Sequence, residues 1–213
     1  MKPDYTDITI ILDRSGSMQV IKKDTIGGIN AFIEGQKKAP GEATLSIIQF
    51  DDKYEDFLAL SQIKDVAPLD ETTYVPRGCT ALLDAIGKTV NAKGEAYSKM
   101  AEADRPSRVV IVIQTDGQEN ASKEFTSAQI KEMVERQRKD FAWDFIYLGA
   151  NQDAFSVADQ MGILRRHAMT YAYDGKGTAD SYVSASEVVC SARQNMGQAM
   201  PGFSAQDHQK QSR

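Results

Sequence analysis

Three short runs of the 213-residue chain carry oxygen-bearing side chains of the kind a hard cation selects. They are Asp13-Arg14-Ser15-Gly16-Ser17, Gly78-Cys79-Thr80 and Thr115-Asp116-Gly117. Asp13 and Asp116 offer anionic oxygens, and Ser15, Ser17 and Thr80 offer neutral hydroxyls. Small divalent ions choose such donors, and Mg2+ favours an octahedron at about 2.0–2.1 Å with some water retained. The i, i+2, i+4 spacing of Asp13, Ser15 and Ser17 in a sharp loop turns all three toward one centre. Gly16 lets the backbone bend there without a Cβ clash. Two carboxylates balance a divalent charge while the hydroxyls add none. The ion therefore stays electrophilic and keeps one position for an outside oxygen, for which an acidic side chain of a partner protein is the natural source.

Taken singly, these residues have plainer readings. A lone Asp-x-Ser-x-Ser caps helices by accepting backbone N–H bonds. Thr80 reads as the N-cap of a helix starting at Ala81, a role compatible with binding metal. Glu119 and Asn120 read as solvated loop residues. Asp51 and Asp52 read as hairpin-turn residues first and as site rim second. Gly87-Lys88-Thr89 imitates the end of a phosphate-binding loop, but the glycine required five positions earlier is Leu82. Gly175-Lys176-Gly177-Thr178 lacks a dinucleotide fingerprint and reads as a turn into a helix. Cys79 and Cys190 exclude a disulfide scaffold or a four-cysteine zinc site, and two histidines, His167 and His208, exclude a His-rich centre.

The elements that must position the three runs alternate in type. Asp7–Asp13, Ala43–Phe50, Val109–Ile113, Phe141–Leu148 and Ala168–Tyr173 are β-rich apolar runs that suit buried strands. Tyr54–Leu60 follows a two-aspartate turn and pairs as an antiparallel edge hairpin. Helical spacing marks Ile26, Ile29, Phe32 and Ile33, stopped by Pro40-Gly41, and then Leu82, Leu83, Ile86 and Val90, reaching toward Ala103. Ile130, Met133 and Val134 mark another helix, Ala154–Met161 a short one, and Tyr182–Cys190 a last one, opened by Thr178 or Ser181. Ser61–Cys79 reads as loop. Trp143 and Cys190 read as core. Such alternation implies an α/β fold, a Rossmann-like doubly wound sheet with helices on both faces. In such sheets, functional groups collect beyond the carboxyl ends of strands, where all three runs lie.

Composition bounds the function. Hydrophobic residues are 41% and charged residues 26%, as in ordinary globular proteins. With 25 Lys+Arg and 30 Asp+Glu the net charge is −5, without the basic footprint of a nucleic-acid binder. No apolar run reaches the roughly 18–20 residues of a membrane span, and no signal-peptide core follows Met1. A cytoplasmic location in a reducing compartment is the expectation. Residues 1–196 read as one domain, and 197–213, rich in Gln, Ser and Gly, as a polar flexible tail.

The run Ile10-Ile11-Leu12-Asp13-Arg14-Ser15-Gly16-Ser17-Met18, with Gly78-Cys79-Thr80-Ala81-Leu82 and Gln114-Thr115-Asp116-Gly117 downstream, resembles the metal-ion-dependent adhesion site (MIDAS) of von Willebrand factor type A (vWA) domains. It looks most like the stand-alone bacterial or phage type, similar to tellurite-resistance-associated members. The resemblance covers roughly Asp7 to Tyr173. It implies strand order 3-2-1-4-5-6 with a short antiparallel third strand, and Mg2+ or Mn2+ held by Asp13, Ser15, Ser17, Thr80 and Asp116. It implies a protein partner supplying Asp or Glu, with an AAA+ ATPase or a stress-operon protein as the family's usual company. Cys79 departs from the family, which usually has a small residue there, and would make the site sensitive to oxidation.

The leading expectation is thus a metal-dependent protein-binding module and not an enzyme. A metal-assisted phosphohydrolase is the alternative, since haloacid-dehalogenase-type phosphatases also keep an aspartate at the end of a first parallel strand. Their acid/base at the +2 position is here Ser15, which cannot shuttle a proton near neutral pH. A metal-independent scaffold subunit is a third reading.

Overall fold

A computed structural model describes residues 1–211. The chain forms one six-stranded sheet in the order β3-β2-β1-β4-β5-β6. The strands are β1 (Lys2–Asp13), β2 (Glu42–Phe50), β3 (Tyr54–Gln62), β4 (Pro106–Thr115), β5 (Asp144–Ala150) and β6 (Ala168–Tyr171). All neighbours are parallel except β2 and β3, joined as an antiparallel hairpin at the edge. The doubly wound order and the single antiparallel strand follow the expectation.

Alternate residues of the central strands face opposite layers, as the pleat requires. Ile8, Ile10 and Leu12 of β1, with Val110 and Val112 of β4, meet α1 (Lys22–Lys38) and α5 (Gly175–Gln194). Ile11, Val109, Ile111 and Ile113 meet α2 (Leu82–Lys99), α3 (Ser127–Phe141) and α4 (Ala154–Gln160). Both faces of the sheet are covered, which explains why β4 reads as a continuous apolar run and β1 does so from Ile10 to Leu12, while the buried Asp7 of β1 is paired with Lys93 at 2.9 Å. Helices α1 and α5 approach closely because Gly28 and Gly35 face Tyr182 and Ser186: a Cβ on Gly28 would lie 2.3 Å from the Tyr182 ring. Trp143 is buried as expected. Cys190 is half-buried, with its sulfur near the Gln36 amide.

Several boundaries differ from the sequence reading. β1 starts at Lys2, because its first residues pair with β2 and β4 beyond the apolar run. α2 stops at Lys99 and a 3-10 turn, Glu102–Asp104, follows. α5 opens at Gly175, where Asp174 accepts a hydrogen bond from the Gly177 amide at 2.6 Å, so the cap precedes Thr178. A side chain at Gly177 would strike the Ala172 carbonyl. The largest difference lies at the C-terminus. Residues expected to form a flexible tail pack against β6 and α5: Met200 and Phe203 are buried, and α6 (Ala205–Gln211) follows. Asp207 anchors that helix, accepting from Ser184 Oγ at 2.8 Å and Ser204 Oγ at 2.6 Å. Two apolar side chains and one paired carboxylate outweigh a polar composition. Positions 212 and 213 of that expectation lie outside the described residues.

Two outcomes test this packing. Gly28→Val should destabilise the fold by about 1–3 kcal/mol through overpacking, read as a lower urea midpoint. His167 is buried beside the Met200 carbonyl, and desolvation, aided by Arg166 and Arg138, lowers its pKa to about 4. The folded state thus disfavours the charged imidazole, so stability should be full above about pH 6.5 and fall as pH drops toward 4. Thermal melts of His167→Gln should show a shallower decline over that window than the parent chain.

Candidate metal centre

Pairing Leu12 of β1 with Gln114 of β4 puts Asp13 and Thr115 at the same sheet edge, with Asp116 one residue beyond. Asp13 is locked twice: Oδ1 accepts from the Ser15 amide at 2.6 Å and Oδ2 from Thr115 Oγ1 at 2.5 Å. The Ser15 and Ser17 hydroxyls lie 3.1 Å apart, and Ser17 Oγ donates to Asp116 Oδ1 at 2.7 Å. A Cβ built on Gly117 would sit 3.4 Å from Thr80 Oγ1 and 3.6 Å from Ser17 Oγ. All five side chains singled out in the sequence therefore gather around one point. Asp13, Ser15, Thr80 and Asp116 are buried, and the cluster opens to solvent at Ser17.

Four loops hold this cluster. Tyr74 Oη donates to the Asp13 carbonyl at 2.6 Å, and Tyr173 Oη donates to the Ser17 carbonyl at 2.5 Å. The Gly16 amide donates to the Gly78 carbonyl at 3.1 Å, joining the first two runs. Gly78 has φ +67° and lies against Asp52, so both its conformation and its surroundings demand glycine. Asp51, fully buried, accepts from Arg14 Nε at 3.1 Å and Arg77 Nε at 2.8 Å, while Arg14 also reaches Glu55 at 2.6 Å. Asp51 therefore serves the hairpin and the rim together.

The third run reaches the site by an unexpected device. Helix α2 begins at Leu82 with Ala81 as its N-cap, and no side chain of its own caps it, Thr80 included. The loop 117–125 does so instead. Glu119 Oε2 accepts from the Leu83 amide at 3.0 Å, Ser122 Oγ from the Asp84 amide at 3.0 Å, and Asn120 Oδ1 from the Thr80 amide at 2.9 Å. In return, Asp84 accepts from the amides of Lys123, Glu124 and Phe125, each at 2.9 Å. The exchange leaves the Thr80 hydroxyl turned to the cluster. Glu119, half-buried, and Asn120, exposed as the loop reading expects, thus also act as structural braces. The bracing roles of Tyr74, Thr115, Tyr173, Glu119 and Ser122 escaped the sequence reading, which named Thr115 only as the neighbour of Asp116 and Glu119 only as a loop residue. Only Tyr74 left a signal there, as an aromatic within a polar, proline-bearing loop.

The electrostatics favour a cation. Burial, with the negative charge of Asp116, raises the Asp13 carboxyl to about 7, against hydrogen bonds from Thr115 and Ser15. Burial likewise raises Asp116, eased by Ser17 and Tyr173. Asp116 Oδ2 is buried and has no hydrogen-bond partner among the described residues. Two crowded carboxylates and an orphaned oxygen beside hydroxyls form a donor set that fits a hard divalent ion. Among the described residues no group of three or more His, Cys, Asp and Glu assembles to hold a metal, and this cluster brings only two carboxylates together, with three hydroxyls.

Comparison with known proteins agrees with this architecture. The family model for the von Willebrand factor type A domain matches residues 7–172. The chain belongs to the vWA family. A comparison with curated protein sequences finds no match. Among solved structures, the vWF domain of the type V pili tip protein Mfa5 from Porphyromonas gingivalis superposes with a TM-score of 0.62 at 10% identity, over 89% of this chain and 96% of that one. Proximal thread matrix protein 1 from the mussel byssus gives 0.61 at 16% identity, over 87% and 46%. A second structure of the mussel protein, described as having a zinc-occupied MIDAS motif, gives 0.59 at 15% identity. These likenesses establish the fold. The chain spans about half the length of the mussel protein.

Glu119→Ala should remove the acceptor for three backbone amides and destabilise the chain by about 1–3 kcal/mol. Hydrogen exchange should accelerate in 80–84 and 117–125 while β1 and β4 stay protected.

Proposed function

We propose that this chain is a metal-ion-dependent protein-binding module. Asp13, Ser15, Ser17, Thr80 and Asp116 would hold Mg2+ or Mn2+, and an Asp or Glu of a partner protein would complete the ion's coordination. When bound, the ion supplies a positive centre that attracts a carboxylate. The chain's own residues set the donor geometry: Thr115 and the Ser15 amide fix Asp13, Tyr173 fixes the Ser17 carbonyl, and the 117–125 loop fixes Thr80. The observation that carries this reading is the orphaned Asp116 Oδ2 within a cluster of two buried carboxylates and three hydroxyls. The zinc-occupied MIDAS of the mussel neighbour, and the matrix and pilus proteins among the structural relatives, support it.

The phosphohydrolase alternative has less support. Ser15, at the position where the acid/base would stand, engages Asp13 through its amide and Ser17 through its hydroxyl. No carboxylic acid stands at +2 to protonate a leaving group. A cytoplasmic module of bacterial or phage origin, working beside an AAA+ ATPase or stress-operon protein, is the setting that the resemblance to tellurite-resistance-associated members suggests. Among the described residues no helix is long and apolar enough to cross a membrane.

Mg2+ at about 100 times its Kd should stabilise the chain by about 2.7 kcal/mol, read as a melting-point rise of roughly 5–10 °C. Asp13→Ala should retain the circular dichroism of the fold and lose both the shift and the heat of Mg2+ or Mn2+ titration. Neither heat nor shift in the parent chain with either ion would refute the metal and leave the scaffold reading.

A further inference from the structure

Tyrosines surround the metal cluster, and one of them differs from the rest in what its hydroxyl can meet. Tyr74, Tyr147, Tyr171 and Tyr182 lie near Asp13 and are fully buried. Tyr173 is half-buried, at the side of the cluster where Ser17 meets solvent. Its hydroxyl donates to the Ser17 carbonyl at 2.5 Å and lies within electrostatic reach of the Asp116 carboxylate. The phenol therefore stands beside two residues of the donor set and still faces outward.

The turn that carries it is braced on both sides. The Asp174 amide donates to the Ala172 carbonyl at 2.8 Å, a three-residue turn with Tyr173 at its apex. Gln211 of α6 spans that turn, accepting from the Ala172 amide at 3.1 Å and donating to the Gly177 carbonyl at 3.2 Å. A hydroxyl held in place beforehand costs little to order when a ligand arrives.

A carboxylate that gives one oxygen to a metal ion keeps a second, which needs a donor once water is displaced. The hydroxyls of Ser15, Ser17 and Thr80 would be taken by the ion. The Asn151 and Gln152 amides donate to the Asp116 and Gly117 carbonyls, at 3.4 and 3.1 Å, and must turn whole side chains to leave them. The Tyr173 proton changes acceptor by rotation about the C–O bond alone. A charged carboxylate is a stronger acceptor than the carbonyl it would replace. The Ser17 carbonyl is not stranded by the change, since it also accepts from the Val20 amide at 3.4 Å and Ser17 is exposed.

We infer that Tyr173 is a contact residue for the partner's carboxylate: its hydroxyl turns from the Ser17 carbonyl to the carboxylate oxygen that the ion leaves free. The inference rests on the metal-dependent reading of the cluster and adds to it a second, protein-borne point of recognition.

The test uses the full chain, Mn2+ and acetate, the simplest carboxylate. Calorimetry gives the Mn2+ affinity. Broadening of the 13C-carboxyl resonance of acetate by protein-bound Mn2+ then gives the acetate affinity at saturating metal. Tyr173→Phe keeps the ring, and its circular dichroism should match the parent. It should weaken acetate about tenfold, the loss of one hydrogen bond to a charged group, while Mn2+ affinity stays within twofold. A change in acetate affinity under threefold would overturn the inference alone, as would a loss of Mn2+ affinity with acetate binding kept, which would make Tyr173 only a brace of the Ser17 carbonyl. Acetate weakened by Asn151→Ala and not by Tyr173→Phe would move the contact to Asn151 and overturn it equally. No Mn2+ binding, or acetate broadening no greater than in Asp13→Ala, would overturn the metal reading together with the inference.

Discussion

Two carboxylates sit buried at the carboxyl ends of neighbouring parallel strands, and most of the surrounding architecture answers the cost of that placement. Like charges removed from water repel and seek neutralisation, so the sheet cannot bring Asp13 and Asp116 together without compensation. The compensation is local and dense. Thr115 and the Ser15 amide neutralise part of Asp13, while Ser17 satisfies one oxygen of Asp116. One Asp116 oxygen is left over. An apolar pair at these positions would pack with less strain. That leftover acceptor is the feature on which the proposed metal-dependent function rests.

The loops carry precision that the strands alone do not. A β-strand end places a side chain to within the sway of its loop, and a metal cluster tolerates little sway. The chain solves this by cross-bracing. The 117–125 loop caps α2 from outside, which spares the Thr80 hydroxyl, and Asp84 repays it by binding that loop's amides. The buried Arg14–Asp51–Arg77 group ties the first run to the β2–β3 turn.

The relatives differ widely in setting, from a byssus matrix protein to a pilus tip, at identities of 10–16%. What they share with this chain is the doubly wound sheet. A scaffold with its loops gathered at one edge can vary partner preference by changing rim residues while leaving strands intact.

Sequence and tertiary structure divided the determination along a physical line. Apolar runs with strand and helix periods determined the layers, because burial on both faces leaves Val109–Ile113 of β4 without polar alternation and Ile10–Leu12 of β1 continuously apolar. Asp-x-Ser-x-Ser, Thr80 and Asp116 were readable because loop spacing and donor chemistry are local properties. The helix boundaries and the docked C-terminus were not, since Met200, Phe203 and Asp207 find their partners only in the folded chain. The same holds for Glu119 and Tyr173: a carboxylate that caps a helix more than thirty residues away, and a hydroxyl that holds the Ser17 carbonyl from the far end of the chain, leave no mark in sequence spacing. Covalent neighbours decide which groups a loop offers. Only packing of distant segments decides which groups are left free to bind.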